Sequence, residues 1–180
     1  MSRAKPNPPQ AVVRHRLDYN PQTGIFIWKN PADARIVGKV AGGTDAQSGY
    51  RKIHIHEYGV YHAHRLAWLH YHGEYDHLSV CVDHIDGDRS NNAISNLRLA
   101  TFSQNTVNCK TRRNTETGVK GVTKTKLGRY RAIIRRPGGE KIELGCYSTI
   151  EEAAAVRLAA SREHFGQFSR EDDACRIAQR

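Results

Sequence analysis

The segment from Val82 to Asn105 constrains the fold of this chain most, because it predicts short elements in a fixed order. Its first residue ends the apolar run Val80-Cys81-Val82, which favours a β-strand. Asp86 to Asn92 is dense in turn-forming residues, and Leu97 to Ala100 alternates apolar with polar residues. The sequence therefore predicts two strands joined by a long loop.

A helix is predicted directly after the second strand. Thr101 and Gln104 have the spacing of a capping box, which is typical of a helix start. Asn105 would then lie within about the first two turns of that helix. Residues 80–109 are therefore predicted to form a ββα unit.

Three side chains of this unit suit the hydrolysis of a phosphodiester bond. That reaction needs a base to activate water and a cation to neutralise charge on the phosphate and the departing oxygen. His84 can accept a proton near neutral pH. Asp83 and Asn105 offer hard oxygen atoms, which suit one Mg or Mn ion. Because neighbouring strand residues point to opposite faces, Asp83 and His84 converge on one phosphate only if the strand ends or twists there.

Purely structural interpretations of the same residues are also open. The acids can be ordinary loop residues, the asparagines turn formers and His84 a buried structural histidine; the residues concerned are Asp83, Asp86, Asp88, Asn91, Asn92 and Asn96. A calcium loop is disfavoured, because the ligand ladder and closing glutamate of an EF-hand are missing. The combined spacing favours the nuclease interpretation.

These residues resemble the HNH homing endonucleases of phages and introns, which belong to the histidine-metal (ββα-metal) superfamily. The blocks Asp83–Asp88, Asn96–Thr101 and Gln104-Asn105 match in order and spacing. The resemblance implies that His84 is the general base, that Asp83 and Asn105 hold one divalent metal, and that Asn96 braces the hairpin by hydrogen bonding. Many members carry histidine where this chain has Asn105, so the choice of metal and the affinity for it can differ from theirs.

Composition agrees with a polyanionic partner. The chain has 180 residues and a net charge of +10, and its pI is about 9.7, which fits one or two small domains in a positive field. No apolar run approaches the ~20 residues of a membrane span, and the first residues lack the apolar stretch of a signal peptide. We expect double-stranded DNA as the partner, no membrane contact, and a cytoplasmic location, in the host cytoplasm if a phage encodes the protein.

The cysteines suggest neither a zinc site nor disulfides, whereas the histidines leave a second metal site open. Cys81, Cys109, Cys146 and Cys175 form no Cys-x-x-Cys pair and are interpreted as free thiols. Histidines concentrate in residues 54–77, where pairs two apart, such as His54 and His56, can clamp a metal from one strand face. They can equally line a surface that faces phosphates, or simply pack.

The residues before the ββα unit predict a small β-rich segment. Leu17–Trp28 indicates a turn followed by an apolar strand, and Tyr50–His56 alternates as a strand does. After a turn, Val60–Ala63 is predicted to return as a hairpin and continue into a helix around His64–His70. The homing-endonuclease resemblance extends from about Leu17 to Asn108.

Beyond a basic linker, a second sheet is predicted. Three short strands are expected in Lys120–Lys124, Gly128–Arg135 and Glu140–Tyr147, and a helix after them with Thr149 as N-cap. A period of two places Tyr130, Ala132 and Ile134 against that helix, and Arg129, Arg131, Ile133 and Arg135 on the opposite face. Arginines presented by a sheet suit the major groove of DNA.

This segment resembles the APETALA/ethylene-response-factor DNA-binding domain, which also follows HNH units in some phage endonucleases. The matches are Gly121-Val122, the block Gly128–Arg135, Leu144–Tyr147 and Thr149–Ala154. The resemblance implies six DNA-facing residues: Lys120, Thr123, Arg129, Arg131, Arg135 and Lys141. Thr123 and Glu143 depart from the arginine and tryptophan often found in the plant domains, so the plant specificity does not transfer. A solvated edge of a structural sheet is the alternative.

The sequence as a whole predicts an α+β DNA endonuclease of the homing or mobile-element type. The expected domains are a flexible N-terminus (1–16), an HNH domain (17–109), a linker (110–118), an APETALA-like domain (119–170) and a tail (171–180). Hydrolysis would leave 5′-phosphate and 3′-hydroxyl ends; one site per chain favours nicking by a monomer, whereas a homodimer would cut both strands. The alternatives are a DNA-binding regulatory protein without cleavage activity and a protein that binds or cuts RNA.

Overall fold

The computed structural model describes residues 6–108, 116–136 and 138–169, and the chain is α+β, as predicted. Its residues fall into two compact units, Met1–Thr101 and Phe102–Arg180. The predicted domain boundary after residue 109 differs from this division, which assigns the helix that follows Thr101 to the second unit. The predicted tail 171–180, most of the predicted linker, Cys109 and Cys175 lie outside the described residues.

The first unit contains two helices and seven strands among its described residues. In chain order they are α1 (Gln10–Arg16), β1 (Leu17–Asn20), β2 (Ile25–Trp28), β3 (Gly43–Thr44), β4 (Arg51–Ile55), β5 (Gly59–His62), α2 (Ala63–His72), β6 (Val80–His84) and β7 (Leu97–Thr101). The pairs β1–β2 and β6–β7 are antiparallel hairpins, and β3, β4 and β5 form an antiparallel sheet in that order.

The core of this unit follows from strand alternation and from the apolar stripe of α2. In β4, Ile53 and Ile55 are buried while His54 between them is exposed. Leu66 and Leu69 of α2 are also buried. The core further includes Val13, Leu17, Phe26, Ala41, Tyr61, Ala63, Ala67, Val82 and Leu97. The β6–β7 hairpin is therefore anchored in the same core as the sheet.

Residues 10–16 differ from the predicted flexible N-terminus. They form α1, in which Val13 has no exposed surface. The Gln10 Nε2 and Arg14 Nε groups donate hydrogen bonds of 2.8 Å and 2.9 Å to the carbonyls of Leu69 and His70, at the end of α2. Since Val13 is the only buried residue of α1, the helix leaves no apolar period in the sequence.

The second unit is a three-stranded sheet with two helices among its described residues. They are α3 (Phe102–Asn108), β8 (Val122–Lys124), β9 (Tyr130–Arg135), β10 (Lys141–Tyr147) and α4 (Ile150–Phe165). The antiparallel order is β10-β9-β8.

The core of the second unit forms where the sheet meets α4. Ala132 of β9 is fully buried and packs with Ala153 and Ala154 of α4, as the alternation predicted. Thr149 is the N-cap of α4 and forms a capping box with Glu152. Within the described ranges, no helix has both the length and the apolar composition that crossing a membrane requires.

Candidate active site

The β6–β7 hairpin carries Asp83 and His84 at the point where β6 ends. Both side chains are buried, with 6% and 4% of their surface exposed. The chain turns directly after them, where the Gly87 amide bonds to the His84 carbonyl at 3.0 Å and Gly87 has a φ of +69°. The strand therefore ends at His84. A strand end at this point is what allows Asp83 and His84 to converge on one phosphate.

Arg98 holds Asp83 in an ion pair across the hairpin. The two residues face each other in the strand register. The Arg98 Nε and Nη2 atoms both lie 3.0 Å from Asp83 Oδ2, and the two side chains are only 11% and 7% exposed. A carboxylate has about four lone-pair positions, so the contact with Arg98 at Oδ2 is compatible with the predicted role of Asp83 as a metal ligand. The role of Arg98 was missed in the sequence because it depends on the pairing register.

Asn92 contacts His84 from the loop that joins the two strands. Its Oδ1 lies 3.1 Å from His84 Nε2, and Asn92 is 2% exposed. The sequence interpretation treated Asn92 only as a turn former. A partner eight residues away, brought back by an irregular loop, leaves no periodic signal.

Burial favours the neutral form of His84, which lies beside two other rings. Its ring lies 4.8 Å from the His64 ring in an edge-on arrangement and 6.0 Å from the Tyr50 ring. Burial lowers the pKa of His84 below the usual 6.5, although the hydrogen bond that His84 makes to the Asn92 oxygen and the nearby carboxylates oppose that shift. The pKa of His64 is lowered further, again chiefly by burial. A neutral His84 is in the state that a general base requires.

Asn96 ties the loop to the hairpin. Its Nδ2 donates to Asp86 Oδ1 at 3.0 Å and to the Asn91 carbonyl at 2.9 Å, while its Oδ1 accepts the Asp86 amide at 3.1 Å. These three hydrogen bonds cross the loop just after His84 and restrict its movement.

Asn105 lies in α3, which begins at Phe102 directly after Thr101, as predicted. It is the fourth residue of the helix and is half-buried. Because α3 belongs to the second unit, the use of Asn105 and Asp83 as ligands of one ion remains a prediction.

Lys120 does not share the surroundings of the other predicted DNA-facing residues. Its Nζ donates to the Thr106 carbonyl and, at 3.2 Å, to the Val107 carbonyl, both in the last turn of α3. A lysine ammonium group is a favourable partner for carbonyls near the C-terminal end of a helix. DNA binding by Lys120 remains a prediction.

The other five predicted residues are exposed and lie on or beside the β8–β10 sheet. We call this set the cationic face: Thr123, Arg129, Arg131, Arg135 and Lys141. Arg131 lies between Thr123 and Cys146 in the register, and Arg135 faces Lys141. Arg129 donates to the Cys146 carbonyl at 2.6 Å. Exposed cations thus cluster on the side of β9 opposite to its buried Ala132 and Ile134.

The histidine-rich segment forms ring stacks. His62 stacks on Tyr50 with centroids 4.8 Å apart, and on His64 at 5.4 Å. Over the residues that the structure describes, no three His, Cys, Asp or Glu side chains are grouped as a metal site would need. The ring contacts of His62 and His64 agree with packing, one of the two alternatives to a second metal.

Comparison with known proteins gives a family-model match over the β6–β7 hairpin and two similar relatives. A family model described as HNH endonuclease matches residues 61–107. The chain is 38% identical over 90 residues to the "Uncharacterized HNH endonuclease L560" of Acanthamoeba polyphaga mimivirus, over 50% of this chain and 46% of that protein. It is 44% identical over 89 residues to Protein 3.8 of Escherichia phage T7, over 49% of this chain and 73% of that protein. The match thus spans less than half of the mimivirus relative.

A solved structure is similar over most of the chain. The description of that structure reads "DNA binding and cleavage by the HNH homing endonuclease I-HmuI". The aligned part covers 80% of this chain and 78% of that chain, at 22% identity and a TM-score of 0.42.

Proposed function

Since the chain belongs to the HNH endonuclease family, we propose that it is a metal-dependent, homing-type DNA endonuclease that leaves 5′-phosphate and 3′-hydroxyl ends. The observation that carries this proposal is the buried pair Asp83 and His84 at the end of β6, with Arg98 on the carboxylate and Asn92 on the imidazole. An acid-base group and a hard oxygen ligand on adjacent residues are what hydrolysis of a phosphodiester requires.

In this proposal, His84 removes the proton from the attacking water. Its lowered pKa keeps the imidazole neutral at pH 7. Asp83 and Asn105 would hold one Mg or Mn ion, which when bound supplies positive charge to the phosphate and the departing 3′ oxygen. Arg98 keeps Asp83 in one orientation, and Asn96 keeps the loop after His84 in place.

We assign DNA binding to the cationic face, in line with the APETALA-like resemblance of the second unit. Its four arginine and lysine side chains are exposed, and the chain carries a net charge of +10. Cations that contact phosphates release counterions from DNA, so each contact makes the slope of log affinity against log salt more negative by about 0.9. Specificity would come from the arginines that reach base edges.

Cleavage is tested with supercoiled plasmid and three proteins: the wild type, His84→Ala, and the control His54→Ala. His54 is an exposed histidine of the same unit, so its loss removes a similar side chain far less involved in packing. We expect open-circle or linear DNA with Mg or Mn, none with chelator, none with His84→Ala, and unchanged cutting by His54→Ala. Cutting by His84→Ala, or in chelator, would contradict the mechanism. Binding without cleavage by the wild type would favour the regulatory alternative.

The DNA-binding face is tested through Cys146, which is exposed and lies opposite Arg131 in the register. Duplex DNA is expected to protect Cys146 from alkylation, as measured by peptide mass spectrometry. Arg131→Ala should reduce the salt slope of DNA affinity by about 0.9, whereas Arg136→Ala should not. Arg136 is an exposed arginine just after β9 that pairs with Glu140. Equal effects of the two variants, or stronger protection by RNA than by duplex DNA, would refute the assignment.

A further inference from the structure

Asn92 is buried against the candidate base, and both ends of its amide are engaged. Its Nδ2 donates to the Ser90 carbonyl at 3.1 Å. A carbonyl accepts only, so this contact identifies the nitrogen of the amide, and Oδ1 must be the atom that faces His84. An amide oxygen cannot donate, so the proton in the 3.1 Å contact belongs to His84 Nε2.

The backbone of Asn92 is held by the β1–β2 hairpin. The Tyr19 hydroxyl donates to the Asn92 carbonyl at 2.7 Å, and burial raises the pKa of Tyr19, so this hydroxyl keeps its proton. The Ile94 amide donates to the Pro21 carbonyl at 2.8 Å. Gly24 lies so close that a Cβ there would be 2.3 Å from the Asn92 carbonyl carbon. The hairpin therefore fixes the backbone of Asn92, and with it the region that the side-chain amide of Asn92 can reach.

The His84 ring is confined on another side by His64, whose ring meets it edge-on at 4.8 Å. With this packing and the Asn92 contact, rotation of the imidazole would lose a buried hydrogen bond and meet a neighbouring ring. The ring thus has one favoured orientation and one favoured tautomer.

We propose that Asn92 is the positioning residue of the base: it holds His84 in the tautomer protonated on Nε2, so that Nδ1 is the nitrogen that accepts the proton of the attacking water. The proton-accepting role itself rests on the proposed function. The choice of nitrogen does not, because it follows from the amide contact alone. Asn92 acts through His84 and touches no reacting atom.

The test compares two isosteric variants of the full chain, Asn92→Asp and Asn92→Leu. Both lose the donor to the Ser90 carbonyl, but only aspartate keeps an acceptor for His84 Nε2–H. Long-range ¹H–¹⁵N NMR of the histidine rings at about pH 8 reports which nitrogen carries the proton, and the His84→Ala spectrum assigns the signals. Single-turnover cleavage, DNA affinity and melting temperature are measured on the same proteins.

We expect Nε2 of His84 to be protonated in the wild type and in Asn92→Asp, and the Nδ1-protonated form to become populated in Asn92→Leu. Cleavage by Asn92→Leu should fall by about 10- to 100-fold, the usual effect of removing a partner that orients a functional histidine. DNA affinity should change little, and Asn92→Asp should cleave faster than Asn92→Leu.

Three results would overturn the proposal. They are an unchanged tautomer in Asn92→Leu, an Nδ1-protonated His84 in the wild type, or equal loss of cleavage in both variants in step with their melting temperatures. The last result would mean that Asn92 only stabilises the loop. If Asn92→Leu fails to fold, Tyr19→Phe, which removes the hydroxyl behind Asn92, should still show a partial shift of the tautomer; an unchanged tautomer there counts against the proposal. If the wild type shows the expected tautomer but does not cut DNA, the proposed function fails and the tautomer assignment stands.

Discussion

Replacing Gly24 with alanine is expected to destabilise the first unit by about 2–5 kcal/mol. Gly24 has a φ of +71°, and an added Cβ would lie 2.3 Å from the Asn92 carbonyl carbon and 2.4 Å from the Ala93 nitrogen. A left-handed conformation costs an alanine about 1–2 kcal/mol. Carbon atoms in contact lie about 3.5–4.0 Å apart, so the two backbones must separate by more than about 1 Å, and such overpacking adds about 1–3 kcal/mol.

Gly38 provides the matched control. Its φ is +76°, but a Cβ there would meet nothing within 4 Å, so Gly38→Ala should cost only the conformational part of about 1–2 kcal/mol. Urea unfolding followed by tryptophan fluorescence is the assay, because Trp28 and Trp68 are the only two tryptophans of the sequence and both pack against the core of the first unit. Equal losses of stability in the two variants would refute the reasoning.

Three further outcomes are expected. Because His64 and His84 have lowered pKa values in the folded chain, the unfolded chain binds protons that the folded chain does not. Their contribution to stability is therefore complete above pH 6.5 and is lost as the pH drops below it. A urea midpoint that is the same at pH 7.5 and 5.5 would contradict this. Arg98→Gln should cost about 3 kcal/mol by leaving Asp83 buried without its cation, and less in an Asp83→Asn background; additive losses would exclude the coupling. Thr149→Ala should lower the stability of the second unit by about 1 kcal/mol in circular dichroism, with the tryptophan transition unmoved.

Local patterns predicted most elements of this fold. The apolar run before Asp83, the alternation of β9 and the capping residues of α4 each depend on neighbours a few positions away, and the structure confirms these elements. α1 was missed, because its single buried residue gives no amphipathic period.

The site was only partly predictable for the same reason. The positions of Asp83 and His84 at a strand end follow from the turn formers after them. Their partners Arg98 and Asn92 depend on strand register and on the path of an irregular loop. The contact of the Lys120 ammonium group with carbonyls of α3 was not predicted either, because the sequence position of Lys120 does not show that it lies near this helix.

The dependence of α3 on the second unit limits how this protein can exchange its parts by recombination. Seven residues of α3 are described, and isolated helices shorter than ~12–15 residues are marginal in water. Among the described residues, α3 contacts α4, residues 166–168 and the Lys120 ammonium group, which are C-terminal to the linker. A crossover in the linker that brought in a foreign module would therefore remove the support of the helix that carries Asn105. The contacts of this helix are preserved when the residues before and after the linker are inherited together.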